Sequence, residues 1–271
     1  MKLRLQSVLY LLLLEFSLTS FTASGDEAAE RGRAILDEHR DAVVTISLVL
    51  QQRMSFPGTP SRSEETKSEA TGTVIGPDGL TVLSLSETDP TALLKAMMGP
   101  SAPQGLQLET EIVDVRIMLR DGTEIPAEVI LRDNDLDMAF VRPVEKQDLT
   151  FAFVDLAVDS EPKILDQLIS LNRLGKVAGR AHSASIERVD AIVKRPRTFY
   201  IPGSDPTNTS LGCPAFDLDG KIVGFFLMRA IHSEGGGGRS MFGGSSDTVR
   251  VIILPARDIR DAAAQVPEYS E

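Results

Sequence analysis

The sequence predicts an all-β protein whose short antiparallel strands close into a barrel or pack as a sandwich. Apolar, β-branched runs of strand length recur along the chain, as in Ala42–Leu50. Turn pairs such as Asp121-Gly122 and Asp219-Gly220 separate these runs. Helical patterns are confined to a few short stretches, so strands must supply most of the core of this 271-residue chain.

Each predicted element follows from a local pattern. Residues 26–40 are charged and alanine-rich, which favours a linker or a short helix. Gln51–Ala70 is polar and contains two prolines, which favours a long exposed loop. The predicted strands are Ala42–Leu50, Thr71–Ile75, Leu80–Leu85, Ile112–Leu119, Glu124–Arg132, Met138–Val141, Ile164–Leu171, Ala181–Val193, Ser210–Phe216, Ile222–Met228 and Thr248–Leu254. The remaining predictions are a helical piece at Thr91–Met98, a glycine-rich loop at Gly235–Gly244 and a terminal helix at Arg257–Gln265.

Composition narrows the possible functions. The hydrophobic fraction is 42%, with 5% aromatic residues and no tryptophan, so we expect an aliphatic core. The formal net charge is -11. Nucleic-acid binding needs a basic surface, and docking on an anionic membrane is disfavoured by the same negative charge. We therefore expect no nucleic-acid partner.

The N-terminus has the pattern of an export signal over residues 1–25. Lys2 and Arg4 precede an apolar run, and Ala23-Ser24-Gly25 supplies small residues for cleavage. The alternative is a retained membrane anchor, but the run is too short to span a bilayer. We expect an exported protein, periplasmic or secreted, with no stable membrane span after removal of the signal. Its one cysteine, Cys213, cannot form an internal disulfide.

Several short segments, in order, carry a family resemblance. They are Thr71–Ile75 with Pro77-Asp78-Gly79, then Pro126–Val129, Arg132–Ala139 and Leu218–Gly224. Together they resemble the high-temperature-requirement (Do-like) branch of the trypsin-fold serine proteases. The resemblance implies two six-stranded antiparallel β-barrels and a C-terminal helix, in a domain of residues 41–266. The family usually appends a PDZ domain, and we expect none here because the sequence ends after the terminal helix.

The resemblance also places the family's catalytic positions. Asp137, the last aspartate of the Arg132–Ala139 segment, stands at the position of the triad acid. The position of the histidine base carries Ser86, and the position of the serine nucleophile carries Leu211. A serine hydroxyl needs a base to take its proton, and the aspartate orients that base. With two of the three positions substituted, we expect no catalytic residue.

Two nucleophiles and three histidines remain as alternatives. Ser210 and Cys213 lie one and two residues from the nucleophile position and are fallback candidates. For Cys213 the ordinary alternative is an inert, buried thiol. In this family the base precedes the acid along the chain, and only His39 does so, whereas His182 and His232 follow it.

Other candidate sites have simpler explanations. Asp133, Asp135 and Asp137 suggest a calcium loop, but the glycine and the distal glutamate of an EF-hand are missing. We expect no metal and no cofactor. Lys194–Arg197 is a basic cluster typical of a solvated loop. Asn208-Thr209 stand where an oxyanion hole needs glycine, and we expect the Leu211 side chain to project into the site.

Three functional hypotheses follow. In the first, the protein is an exported, non-catalytic protease homologue that binds an extended peptide or a protein partner, by pairing it with a strand edge beside the old cleft. In the second, it is an active serine-type endopeptidase with a rearranged active site. In the third, it is a structural or assembly subunit. The sequence does not predict the oligomeric state.

Overall fold

Two closed barrels, each of six antiparallel strands, make up the fold. The computed structural model describes residues 23–58, 60–89, 91, 105–203, 211–230 and 249–269. Barrel 1 contains β1 Val43–Ser55, β2 Arg62–Val74, β3 Thr81–Ser84, β4 Gln107–Met118, β5 Glu124–Asp133 and β6 Met138–Pro143. Barrel 2 contains β7 Gln167–Arg173, β8 His182–Val193, β9 Phe199–Pro202, β10 Pro214–Phe216, β11 Ile222–Ala230 and β12 Val249–Pro255. The predicted pair of six-stranded barrels is confirmed.

The strands have the same connectivity in both barrels. It runs β1-β2-β3-β6-β5-β4 in barrel 1 and β10-β11-β12-β9-β8-β7 in barrel 2. Each barrel has its own apolar interior, with Ile46, Leu83 and Val141 in barrel 1 and Leu168, Ile253 in barrel 2. A third buried cluster lies between the barrels and beneath the terminal helices.

In the described chain, two helices pack on the outside of barrel 2 and a short one packs on barrel 1. They are α1 Ala23–His39, the short α2 Leu85–Thr88 and α3 Ala256–Ala263, with 3-10 turns at Arg40–Ala42 and Lys176–Ala178. α1 begins inside the segment predicted as a signal and is longer than the predicted linker or short helix. Ala28, Gly32 and Ile35 recur on one helix face, and a Cβ at Gly32 would lie 3.1 Å from Ile169 Cδ1 of barrel 2. In the described residues, no helix has the length and apolarity needed to cross a bilayer.

The exposed loop predicted at Gln51–Ala70 is wrong. β1 continues to Ser55 and β2 begins at Arg62, and the two pair in register from Val43↔Thr73 to Met54↔Arg62. β4 pairs with the far side of β1 as far as Ser55↔Gln107. The outer parts of these three strands form a sheet that we call the arm, which consists of Val49–Ser55, Arg62–Lys67 and Gln107–Asp114. Most β2 side chains in the arm face solvent, so the strand lacks the alternation that reveals a half-buried strand.

The other predicted strands are present, although their first and last residues differ from the prediction, and β9 was not predicted. The predicted strand at Ser210–Phe216 is reduced to the three residues of β10 in the described chain. Most of the predicted helical piece at Thr91–Met98 and the glycine-rich loop at Gly235–Gly244 lie outside the described residues. The terminal helix is present, one residue earlier than predicted at its start.

Hydrogen bonds and an ion pair connect the two barrels. Arg173 of β7 is buried and donates from Nη1 to the carbonyl of Met118 at 2.8 Å and from Nη2 to that of Leu119 at 2.9 Å. The Arg180 guanidinium binds both carboxylate oxygens of Glu69 in β2, with contacts of 3.1 and 2.5 Å. Because each pair joins a barrel 2 side chain to barrel 1, these contacts fix the relative position of the barrels.

The C-terminal segment after α3 returns to barrel 1. Arg142 of β6 donates to the carbonyl of Pro267 at 2.7 Å, and its guanidinium lies 3.9 Å from the ring centroid of Tyr269. The Tyr269 hydroxyl donates to the carbonyl of Pro143 at 3.1 Å. The chain therefore leaves barrel 2 and is held against barrel 1, which adds a second connection between the barrels.

Candidate functional site

Asp137 lies at the tight turn between β5 and β6. Its backbone has a φ of 55°, in the left-handed region that aspartate tolerates better than most residues. The Asp137 carbonyl accepts a hydrogen bond from the Leu85 N–H at 2.9 Å, one step beyond the Ser84↔Met138 pair of β3 and β6. This register sets the Asp137 side chain beside the end of β3 and the start of α2.

Four donors surround the Asp137 carboxylate. Oδ1 accepts from the Ser86 N–H at 2.9 Å and from Ser86 Oγ at 2.5 Å. Oδ2 accepts from Ser84 Oγ at 2.6 Å and from the Met228 N–H at 2.7 Å. Each oxygen thus receives one hydroxyl and one backbone N–H. Ser86, which the resemblance predicts at the position of the histidine base, supplies two of these four hydrogen bonds.

A second carboxyl group lies next to Asp137. Burial raises the pKa of Asp137 above its ordinary value, against the opposing effect of the hydrogen bonds from Ser84, Ser86 and Met228. Burial also raises the pKa of Glu87, and the nearby Asp137 carboxylate raises it further. A carboxylate remains a far weaker base than a serine alkoxide, so Asp137 is poorly suited to activate the Ser86 hydroxyl directly.

The histidines of the described chain lie away from Asp137. The His39 ring stacks on Phe216, with centroids 4.6 Å apart and planes 10° from parallel. His182 lies opposite Arg173 in the β7–β8 register, and neither of its ring nitrogens has a hydrogen-bond partner. Burial and, for His182, the neighbouring Arg173 charge lower the pKa of both rings. His232 lies outside the described residues.

Leu211, the predicted nucleophile position, belongs to the core of barrel 2. Leu211 is only 8% exposed and packs in the apolar cluster that includes Val223 and Ile253. Its side chain therefore lies in the barrel interior, and the expectation that it projects into the site is wrong. Cys213 is completely buried in the same cluster. Ser210, the other fallback nucleophile, and Asn208-Thr209 lie outside the described residues.

The backbone of Gly212 forms a hydrogen bond to each barrel. Its N–H donates to the Phe226 carbonyl of barrel 2 at 2.7 Å, and its carbonyl accepts from Thr73 Oγ1 of barrel 1 at 2.8 Å. Its φ is 82°, and a Cβ there would lie 2.3 Å from the Thr71 carbonyl oxygen. Both the backbone conformation and the close approach require glycine at this position.

One edge of β11 runs beside Asp137. Phe226 donates to the Cys213 carbonyl at 2.9 Å, and the Met228 N–H is bound to Asp137 on the same edge. Pairing with β10 ends at Phe225, whereas the opposite edge pairs with β12 as far as Ala230. Beyond Phe226, no strand in the described part of the chain pairs with the edge that faces the cleft.

The aspartates near this site form a turn. Asp133 Oδ1 accepts from the backbone N–H groups of Asp135 and Leu136, both at 3.0 Å, and so caps the turn that leads to Asp137. The described residues contain no group of three or more histidine, cysteine or acidic side chains arranged to hold a metal ion.

Sequence reasoning missed three contributors to the site: Ser84, Glu87 and the Met228 N–H. Ser84 lies only two residues before Ser86, but its contact with Asp137 depends on the pairing of β3 with β6. The Met228 contact depends on how the barrels meet. Knowledge of the β3–β6 register would have placed Ser84 beside Asp137, whereas no local sequence pattern marks the Met228 N–H.

Comparisons with known proteins agree with this architecture. The model of the trypsin-like peptidase domain family matches residues 70–225. Curated relatives include proteins described as "Probable periplasmic serine endoprotease DegP-like". The one from Halomonas elongata is 26% identical over 188 residues, which cover 67% of this chain and 33% of the relative. The one from Bartonella henselae is 27% identical over 136 residues, covering 45% and 24%. The chain thus matches about a third or less of the length of these relatives.

Solved structures resemble the fold at low sequence identity. A variant of the HtrA-type protease AlgW, solved with a tripeptide, has a TM-score of 0.50 and 14% identity and covers 86% of this chain and 62% of its own. The apo protease domain of MamO from Magnetospirillum magneticum has a TM-score of 0.48 and 14% identity, covering 83% and 97%.

Proposed function

The chain belongs to the family of trypsin-like peptidase domains, and from that premise we propose that it is an exported, non-catalytic member that binds an extended peptide or an unfolded protein segment. The observation that carries this proposal is the hydrogen bonding of Asp137. Ser86 and Ser84 donate to its two oxygens together with two backbone N–H groups. An aspartate whose acceptors are satisfied in this way has a structural role and does not need an imidazole.

The nucleophile side supports the same proposal. Leu211 has no reactive atom, and its burial in barrel 2 contributes to the core instead of the cleft. Cys213 is a poor substitute, because its thiol is completely buried in an apolar cluster and out of reach of a substrate. Ser84 and Ser86 both direct their hydroxyls to a carboxylate rather than to a base of suitable pKa.

Peptide binding is supported by the edge of β11. The Met228 carbonyl and the backbone of Ala230 follow Phe226 at alternate positions, so they face the same unpaired edge. An extended segment that adds to this edge would gain main-chain hydrogen bonds with little dependence on its sequence. The AlgW structure was solved with a tripeptide, which makes a peptide a reasonable occupant of this cleft.

Export is supported by the apolar N-terminal segment and by the relatives, whose names place them in the periplasm. We propose cleavage near residue 25, within the first turn of α1. Mass spectrometry of protein recovered from the periplasm or the medium would test this directly, since a retained N-terminus contradicts it.

The proposed lack of catalysis is tested with a fluorophosphonate probe, which labels activated serines, and with reduced, carboxymethylated lactalbumin as an unfolded substrate. We expect no adduct by intact mass and no cleavage product after long incubation. An adduct on any serine, Ser210 included, together with cleavage would instead establish an active serine-type endopeptidase with a rearranged site.

The binding site is tested with the same unfolded protein, labelled with a fluorophore. Ala230→Pro removes the N–H that faces the unpaired edge, while Ala230→Val keeps it and serves as the matched control. We expect fluorescence anisotropy to show binding to the wild type and the valine variant and a loss of roughly tenfold or more for the proline variant. Equal binding by both variants would exclude the β11 edge.

A further inference from the structure

The arm leaves one edge of β2 unpaired. β2 pairs with β1 along its whole length, but its other edge pairs with β3 only at Thr73 and Val74. No other strand of the described chain pairs with β2. The side chains of residues 62–67 are exposed, and Ser68 and Glu69 are partly so. A long unpaired edge presents a row of backbone donors and acceptors that another strand can bind.

The charges along this edge are complementary to themselves. The segment Arg62–Ala70 reads RSEETKSEA. In an antiparallel pair related by a two-fold axis through Thr66, Glu65 of one copy faces Lys67 of the other, and Lys67 faces Glu65. Glu64 then faces Ser68, and Ser63 faces Glu69, so no like charges are opposed. Opposite charges that face each other across strands stabilise pairing.

Neighbouring two-fold registers are unfavourable. A symmetric antiparallel pair must place its axis on a residue, which then faces its own copy. Axes on Glu64, Glu65 or Lys67 would set identical charges face to face. An axis on Ser68 would set Thr71 of one copy against Glu65 of the other, and the Thr71 carbonyl oxygen already lies where Gly212 of barrel 2 approaches β2. An axis on Ser63 would oppose Arg62 and Glu64, but β2 begins at Arg62, so this register would pair very little of the strand. Among the registers that pair most of the exposed edge, the one centred on Thr66 sets no like charges against each other.

The other edge of the arm has the opposite character. β4 pairs with β5 only from Val115 to Met118, so its outer half is also without a partner on that side in the described chain. This half carries Glu109, Glu111 and Asp114. An axis on Thr110 would set Glu109 against Glu111. A uniformly acidic edge resists pairing with its own copy, as edge strands of soluble proteins commonly do.

We propose that two copies of this chain associate through antiparallel pairing of their β2 edges, centred on Thr66. The interface is isologous and closes as a dimer, because each copy contributes the same edge. It is a narrow contact of about nine residues a side, so we expect a weak dimer that dissociates in the micromolar range or above. The proposal does not depend on the function assigned to the old cleft.

The test is sedimentation of the purified protein over concentrations of about 1–200 µM, a range that spans weak dimerisation. We expect a concentration-dependent dimer. Lys67→Glu sets glutamate against Glu65 twice and should weaken the dimer roughly tenfold or more. The exchange Glu65→Lys with Lys67→Glu restores the pairs and should restore the dimer. Lys146→Glu, an equal charge change on an exposed loop, is the matched control.

A covalent test does not rely on charge. Thr66 faces its own copy across the axis, at a separation that a disulfide can bridge between non-hydrogen-bonded pairs. We expect Thr66→Cys to yield a disulfide-linked dimer under mild oxidation and Glu64→Cys to yield far less. Three results would overturn the proposal: a monomer at every concentration, a dimer insensitive to Lys67→Glu, or equal cross-linking at both cysteines.

Discussion

The two halves of the candidate site are held in different ways. On barrel 1, the Asp137 carboxylate accepts hydrogen bonds from the Ser86 hydroxyl and N–H. On barrel 2, Leu211 is part of the apolar interior. The barrel 1 half therefore depends on polar contacts with a buried charge, and the barrel 2 half depends on packing. Substitutions in the two halves should have different thermodynamic signatures.

The largest effect is expected at Asp137. Asp137→Ala leaves two serine hydroxyls and the N–H groups of Ser86 and Met228 without their acceptor, and alanine tolerates a φ of 55° poorly. We expect a loss of about 4 kcal/mol in the free energy of unfolding, measured with urea. Asp137→Asn, which keeps one acceptor and tolerates this φ, should lose clearly less. Equal losses would mean that the hydrogen bonds are not the main contribution.

The next effect is expected at Leu211. Leu211→Ser removes apolar volume from the barrel 2 core and buries a hydroxyl, so we expect a loss of about 3 kcal/mol. Leu211→Met, which conserves volume, should lose less than about 1 kcal/mol. Because no base is expected to reach position 211, Leu211→Ser should also fail to react with a fluorophosphonate. Labelling of that serine would show that a hidden base remains.

A comparison of Ser84 with Ser86 separates the effect of burial on stability from the effect of the hydrogen bond to Asp137. Both donate to Asp137, but Ser84 is fully buried and Ser86 only partly so. Ser84→Ala should cost about 2 kcal/mol and Ser86→Ala about 1 kcal/mol, since water can replace the lost hydroxyl only at the partly exposed position. Urea denaturation of both variants provides the measurement, and the reverse order would contradict the assigned difference in solvent access.

The smallest effect is expected at Glu87 and depends on pH. Its pKa is raised in the folded protein, so its stabilising contribution is present below its ordinary pKa of 4.5 and is lost as pH rises through the folded value. Glu87→Gln removes this loss and should increase stability at pH 7 by roughly 0.5–1 kcal/mol, with little change near pH 4. A stability difference that is independent of pH would exclude both the burial of the Glu87 carboxylate and its repulsion from Asp137 as the cause.

The fold was predictable where local signals were strong. The apolar run at Ala42–Leu50 and the turn pairs at Asp121-Gly122 and Asp219-Gly220 require no knowledge of the partner strands. The arm was missed for a physical reason: between Gln51 and Ala70 much of both faces meets solvent, so hydrophobic alternation is absent. There, cross-strand hydrogen bonds and polar pairs supply the order that the pattern does not reveal.

The site was predictable in position but not in detail. Counting from the motifs placed Ser86 beside Asp137, where the structure has it. The role of Ser84 follows from strand register, and that of the Met228 N–H from the contact between barrels, neither of which is encoded in neighbouring residues. Leu211 was expected to project into the cleft, whereas the demand for apolar volume inside barrel 2 turns it inward.

Gly212 has a consequence for how such chains are recognised. A glycine directly after the predicted nucleophile position is easily taken as evidence of catalysis, yet here its N–H and its carbonyl bind different barrels. Its presence is explained by assembly of the domain alone, with or without chemistry. If a Gly212 variant lost binding, the cause would be misalignment of the two barrels. A motif search that counts this glycine as evidence of catalysis would be counting a residue that connects the barrels.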